Sequence, residues 1–102
     1  MRLAASLILL ASPVAAMAAS APGTATINHG TPLPERVIVG NNFWSCAEGA
    51  CRGPGDDRRV AVERACRDLA KRIGAVDAIT VGSTVLDQTQ LAACNKDARG
   101  KS

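Results

Sequence analysis

Four cysteines, Cys46, Cys51, Cys66 and Cys94, are the residues of this chain whose type most readily supports chemistry. A zinc site usually combines a close cysteine pair with a second cysteine or histidine pair. Here Cys66 and Cys94 are isolated, so the spacing does not favour zinc. Thiol exchange typically uses Cys-x-x-Cys at a helix N-terminus, a spacing that Cys46 and Cys51 lack. We expect no metal and no other cofactor.

Other catalytic residue types are not grouped in the sequence. The chain has one histidine, His29, and no Gly-x-Ser-x-Gly motif, so a serine hydrolase triad is not evident. The carboxylates lie where turns and caps favour acidic residues rather than as a glycosidase pair. They are Glu48, Asp56, Asp57 and Asp77. We therefore predict no catalytic residues.

The first 18 residues have the pattern of an export signal. Arg2 precedes the mainly apolar run 3–14, and Ala16-Met17-Ala18 supplies the small residues that signal peptidase accepts. The run is too short for a permanent span, which needs about 20 apolar residues. We expect cleavage between Ala18 and Ala19, rather than an uncleaved anchor or a buried helix. The expected protein is periplasmic or secreted, without stable membrane insertion, in a compartment that favours disulfides.

Residues 19–35 are rich in proline, glycine and threonine and show neither a strand nor a helix period. They are predicted to form a flexible leader before an ordered domain at 36–97 and a polar tail at 98–102. The formal charge of +3 falls by one when Arg2 is removed. So small a charge does not indicate a nucleic-acid partner, and the sequence leaves the oligomeric state open.

The ordered domain is predicted to begin with a hairpin. Residues 36–39 and 43–46 are strand-like, and the four residues 47–50 separate Cys46 from Cys51. Residues that flank such a loop lie opposite each other, with β-carbons about 5 Å apart, which suits a disulfide. Glu48 would be the charged tip of the loop and a surface contact.

Both aromatic side chains of the chain, Phe43 and Trp44, fall on the second strand of this hairpin. Adjacent strand residues face opposite sides, so one of them belongs to the core. We expect Trp44 to be buried against Leu69 or Ile73 as a packing residue.

Residues 56–73 form the clearest predicted helix. Gly55 and Asp56 are expected to open it, and Gly74 is expected to end it in the left-handed conformation. One apolar stripe turns Cys66 toward the core. The stripe consists of Val62, Cys66, Leu69 and Ile73.

The opposite face of this helix is charged and allows two interpretations. Its basic residues could dock phosphate or lipid headgroups. Alternatively, Glu63 pairs with Arg67 and Asp68 with Arg72, four residues apart, on a solvated face. The interspersed acids favour the solvated face. The residues concerned are Glu63, Arg64, Arg67, Asp68, Lys71 and Arg72.

The remaining residues predict a second hairpin and a short helix. Strands at 78–81 and 84–86 flank a Gly82-Ser83 turn. A helix follows from Asp87, which forms an approximate capping box with Gln90. This helix turns Cys94 inward. Of the three pairings that four cysteines allow, we favour Cys46 with Cys51 and Cys66 with Cys94.

Several motifs follow one another in a fixed order along the ordered domain. They are Phe43-Trp44-Ser45-Cys46, Cys51, Arg59, Cys66, 69–74, 79–82 and 91–95. Together they resemble a family of short exported alphaproteobacterial proteins of unknown function. The resemblance implies a shared cysteine framework and export, and it implies no activity. One departure is Ile79, where members often carry an aromatic residue.

The sequence therefore predicts an α+β domain stapled by disulfides: a hairpin, a long amphipathic helix, a second short hairpin and a C-terminal helix. Structural disulfides without a group of catalytic residues favour a non-enzymatic module that binds a periplasmic or envelope protein. The alternatives are thiol exchange, or inhibition of an envelope hydrolase through the loop that carries Glu48.

Overall fold

The computed structural model describes residues 20–100, so the predicted signal 1–18 and its cleavage site at Ala18 and Ala19 lie outside the described residues. The predicted α+β class is confirmed. In chain order the elements are β1 Ala21–Ile27, β2 Arg36–Val39, β3 Asn42–Ala47, β4 Ala50–Gly55, α1 Arg59–Arg72, β5 Val76–Val81, β6 Thr84–Val85, α2 Gln88–Cys94 and a 3-10 turn Asn95–Asp97.

The six strands form one antiparallel sheet in the order β2-β3-β4-β1-β5-β6. Alternate strand residues such as Ala25, Val37 and Trp44 are buried together with Val62 and Leu69 of α1. The helices therefore cover one face of the sheet, and the core lies between the two layers. Within residues 20–100, neither helix is long and apolar enough to cross a membrane.

The prediction of a flexible leader at 19–35 is wrong for β1, which is a central strand between β4 and β5. Gly23, Ala25 and Ile27 face the core, whereas Thr24 and Thr26 are exposed. This is the alternation of a half-buried strand. Small side chains and the proline and glycine at its start concealed the pattern.

The ends of α1 also differ from the prediction. Asp56 does not cap the helix; its Oδ1 accepts a hydrogen bond from the backbone N–H of Arg58 at 2.9 Å, and α1 begins at Arg59 without a side-chain cap. At the other end, Ile73 N–H donates to Leu69 O. Gly74 is buried and does not have a positive φ; a β-carbon there would lie 3.0 Å from Thr31 Cγ2. Its small size, not its conformational freedom, suits this position.

The predicted polar tail 98–102 is wrong for residues 98–100. Ala98 is buried, and the backbone N–H of Arg99 donates to Ala70 O at 2.8 Å. The Arg99 guanidinium also donates to the Arg72 carbonyl at 3.2 Å. These contacts hold the segment against the C-terminal end of α1, where carbonyl groups lack helical partners.

The second hairpin and the short helix are confirmed. Gly82 turns the chain between β5 and β6 with a φ of 59°. Asp87 Oδ1 accepts from the Gln90 N–H, and Gln90 Oε1 accepts from the Asp87 N–H, each at 2.8 Å. This reciprocal pair is the capping box that opens α2.

Candidate functional site

The cysteines form the two predicted disulfides, Cys46–Cys51 and Cys66–Cys94. Cys46 and Cys51 are directly paired between β3 and β4, with Cα atoms 3.9 Å apart. The second disulfide joins α1 to α2 over a Cα separation of 5.8 Å. All four residues are at most 8% exposed. Thiol exchange requires access to a sulfur, so this burial fits a structural role.

Glu48 lies where the sequence predicts it, at the exposed turn between β3 and β4. The turn contains two residues, Glu48 and Gly49, rather than the four predicted, and both have positive φ values of 53° and 81°. Such a two-residue turn matches the twist of a hairpin. The Ile27 N–H donates to Gly49 O at 2.9 Å, so the turn lies alongside β1.

The carboxylates that could act as acids or bases each have a local partner or a separate exposed position. Asp56 accepts a bond from the Arg58 guanidinium, which lowers the pKa of that carboxyl, and the same contact raises the pKa of Arg58. Asp57 and Asp77 are exposed. Among residues 20–100, no group of three His, Cys, Asp or Glu side chains is placed to hold a metal ion. His29 lies in the exposed loop between β1 and β2.

Asn95 has a structural role that sequence reasoning missed. Its Oδ1 accepts from the Val76 N–H and its Nδ2 donates to Val76 O, each at 2.8 Å. The side-chain amide thus satisfies both backbone groups of the first residue of β5, as a neighbouring strand would. These two hydrogen bonds explain why an asparagine directly follows Cys94. In the sequence, only the motif 91–95 draws attention to Asn95.

The sheet face opposite the helices is open to solvent and mostly polar. One residue from each of the six strands lies in register across this face, and we call these six residues the central row. The central row contains no acidic residue, and its only large apolar side chain is on β6. The row runs Arg36, Ser45, Arg52, Thr24, Thr80 and Val85.

An apolar patch interrupts this polar face at the β2 edge. Ile38 of β2 is directly paired with Phe43 of β3, and these side chains are 45% and 65% exposed. Arg36 and Arg72 line a shallow depression beside them. We call Arg36, Ile38, Phe43 and Arg72 the edge patch. The structure thus separates the adjacent aromatics as expected: Trp44 is fully buried and Phe43 lies on the outer face.

The backbone at the edge patch is also available for pairing. Glu35 O accepts from the Cys46 N–H at 3.0 Å, which makes residue 35 a hydrogen-bonded position of the β2–β3 ladder. Bonded positions alternate along an antiparallel strand. The N–H and C=O groups of Arg36 and Ile38 therefore point away from β3, to the edge of β2 that has no strand partner among residues 20–100.

A family model described as "Family of unknown function (DUF8200)" matches residues 5–96, which is most of the chain. The chain belongs to this family. No curated protein and no solved structure matches it. Membership in DUF8200 assigns no activity to the chain, because the family is of unknown function.

Proposed function

We propose that this DUF8200 member is a non-enzymatic binding module that acts outside the cytoplasm and binds an extended segment of another protein at the edge patch. The observation that carries the proposal is the exposed Ile38–Phe43 pair at an edge strand. Elsewhere the central row of the same face carries serine, threonine and arginine up to β6. A directly paired aliphatic and aromatic side chain at an open edge is typical of a contact surface.

The mode of binding follows from the backbone and the charges. A segment that adds a strand to β2 would hydrogen-bond the outward groups of Arg36 and Ile38. Its alternate side chains would cover Ile38 and Phe43, and an acidic residue would meet Arg36 or Arg72. The expected partner segment is therefore extended, apolar at alternate positions and acidic nearby.

Two buried disulfides support an oxidising compartment, because such bridges are rare in reducing ones. Their burial also favours binding over thiol exchange, the alternative function. Inhibition of a hydrolase through Glu48 has less support, since the Glu48 turn is bonded to β1 rather than projecting freely.

The test uses two exposed apolar residues of the same sheet face as a matched pair. Phe43 is 65% exposed near one edge, and Val85 is 64% exposed at the other. Wild type, Phe43→Ser and Val85→Ser are immobilised and exposed to envelope extract. We expect a protein that wild type and Val85→Ser retain and Phe43→Ser loses. Equal retention by all three, or loss only with Val85→Ser, would reject the edge patch.

A further inference from the structure

The outer face of α1 carries a straight row of three cations that follows an exposed valine. Val60, Arg64, Arg67 and Lys71 follow one another at spacings of four, three and four, and all four are exposed. This spacing keeps them on one helix face, over about 16 Å along the axis. We call these four residues the α1 stripe. It lies opposite the buried stripe of Val62, Cys66 and Leu69.

The acids of α1 do not neutralise the α1 stripe, contrary to the ion pairs expected from the sequence. Glu63 accepts from Gln90 Nε2 of α2 at 3.3 Å, and Asp68 accepts from the Gly40 N–H at 3.0 Å. Glu63 is thus turned toward α2, and Asp68 is turned toward the turn between β2 and β3. The single ion pair among residues 20–100 is Arg58 with Asp56. The cations of the α1 stripe are therefore not paired with the acids of their own helix.

Further cations extend the positive surface at the C-terminal end of α1. Arg72 is exposed, and Arg99 is held beside it by the bond from its guanidinium to the Arg72 carbonyl. Lys96 is exposed on the 3-10 turn that packs against α1. Among residues 20–100, most of the lysines and arginines therefore lie on α1 or at its C-terminal end.

We propose that the α1 stripe docks the protein on a membrane surface rich in anionic phospholipid headgroups. A straight ridge on a convex helix meets a flat charged surface along its whole length. Exposed Val60 and the aliphatic stems of the arginines and lysine can reach the apolar boundary while their charges stay at headgroup level. Single-stranded nucleic acid is less favoured, because α1 offers no aromatic side chain for base stacking.

The α1 stripe shares no residue with the edge patch, although Arg72 of the edge patch lies on the same helix. Each cation near an anionic surface strengthens binding roughly fivefold. Removing two should weaken it about 25-fold. The matched variants are Arg64→Gln/Arg67→Gln on the α1 stripe and Arg36→Gln/Arg52→Gln on the sheet face, which remove the same charge from exposed positions.

The test uses the protein in the form that accumulates in cells, whose N-terminus is determined by intact-mass measurement. It is co-sedimented with phosphatidylcholine vesicles that either contain or lack phosphatidylglycerol. Wild type and the Arg36→Gln/Arg52→Gln variant should bind the anionic vesicles at about 0.1 M salt and release them at about 1 M, where the Debye length falls to about 3 Å. The Arg64→Gln/Arg67→Gln variant should bind about 25-fold more weakly. Melting curves of both variants confirm that each is folded.

Three outcomes would overturn the proposal. One is equal binding of the two variants to anionic vesicles. The second is wild-type binding that does not depend on phosphatidylglycerol or on salt. The third is retention of a DNA duplex through Arg64 and Arg67 without vesicle binding, which would assign the α1 stripe to a polynucleotide.

Discussion

Substituting alanine for Gly53 tests how the core is assembled around the only tryptophan. A β-carbon at Gly53 would overlap Trp44 Cδ1 and Cγ, so the indole would have to move. Trp44 is fully buried, and its Nε1 donates to Pro54 O at 3.0 Å. Displacing the ring therefore both overpacks the core and breaks this bond.

The expected destabilisation follows from these two contributions. Overpacking costs about 1 to 3 kcal/mol, and loss of the Trp44 hydrogen bond adds about 1 kcal/mol. The better strand propensity of alanine offsets about 0.5 kcal/mol. Gly53→Ala should therefore lower the free energy of unfolding by about 2.5 kcal/mol, and the melting temperature by roughly 15 °C for a domain of this size.

Gly55→Ala is the matched control, on the same strand and the same face. Its β-carbon would lie 3.3 Å from Val81 Cγ1, a side chain that can give way slightly. We expect a change within about 1 kcal/mol. Urea melts followed by far-UV circular dichroism and by the fluorescence of Trp44 measure both variants. If Gly53→Ala melts with wild type, or if Gly55→Ala is the more damaging change, the indole does not lie on Gly53.

Three further predictions concern the disulfide between the helices, the asparagine that follows it, and the exposed ion pair. Replacing both Cys66 and Cys94 with alanine should lower stability by about 3.5 kcal/mol in thermal melts and leave partner binding intact below the new melting temperature; unchanged melting with lost binding would show that the sulfurs are used. Asn95→Asp keeps the acceptor for the Val76 N–H but sets a carboxylate against Val76 O, and it should cost about 2 kcal/mol in urea melts, whereas an unchanged midpoint would contradict the strand-like role of the amide. The hydrogen bond from Arg58 lowers the pKa of Asp56 below 3.8. The small stabilisation of the fold by this ion pair is therefore present above pH 3.8 and is lost as the pH falls through the folded-state pKa of Asp56. Carboxyl NMR should show the Asp56 midpoint rising toward 3.8 in Arg58→Gln, and no movement would mean that the pair does not form in solution.

The sequence predicts those elements whose signals are local. The disulfide hairpin, the apolar stripe of α1, the Gly82 turn and the Asp87 capping box each depend on residues a few positions apart. The strand β1 was missed because its core-facing residues are Gly23, Ala25 and Ile27, and the glycine is explained only by the indole that lies above it. Small residues required by a distant aromatic side chain have no signature of their own.

The candidate surfaces depend on tertiary structure in a similar way. The pattern of charges on α1 suggests intrahelical pairs, but Gln90 and the Gly40 turn attract the two acids from outside the helix. Likewise, strand alternation shows that Phe43 and Trp44 face opposite sides of the sheet. The helices decide which of the two is buried, because they cover only one of those sides. Which side of an element remains exposed is decided by elements far away in the chain.

A function carried by the surface, as proposed, requires that the four cysteines be closed into structural bridges. The direct measurement is alkylation of the protein taken from cells and quenched in acid, followed by peptide mapping without reduction. We expect no alkylated cysteine and two linked pairs, Cys46 with Cys51 and Cys66 with Cys94. A population in which a cysteine pair is reduced and therefore alkylated, or a link between Cys51 and Cys66, would contradict this expectation.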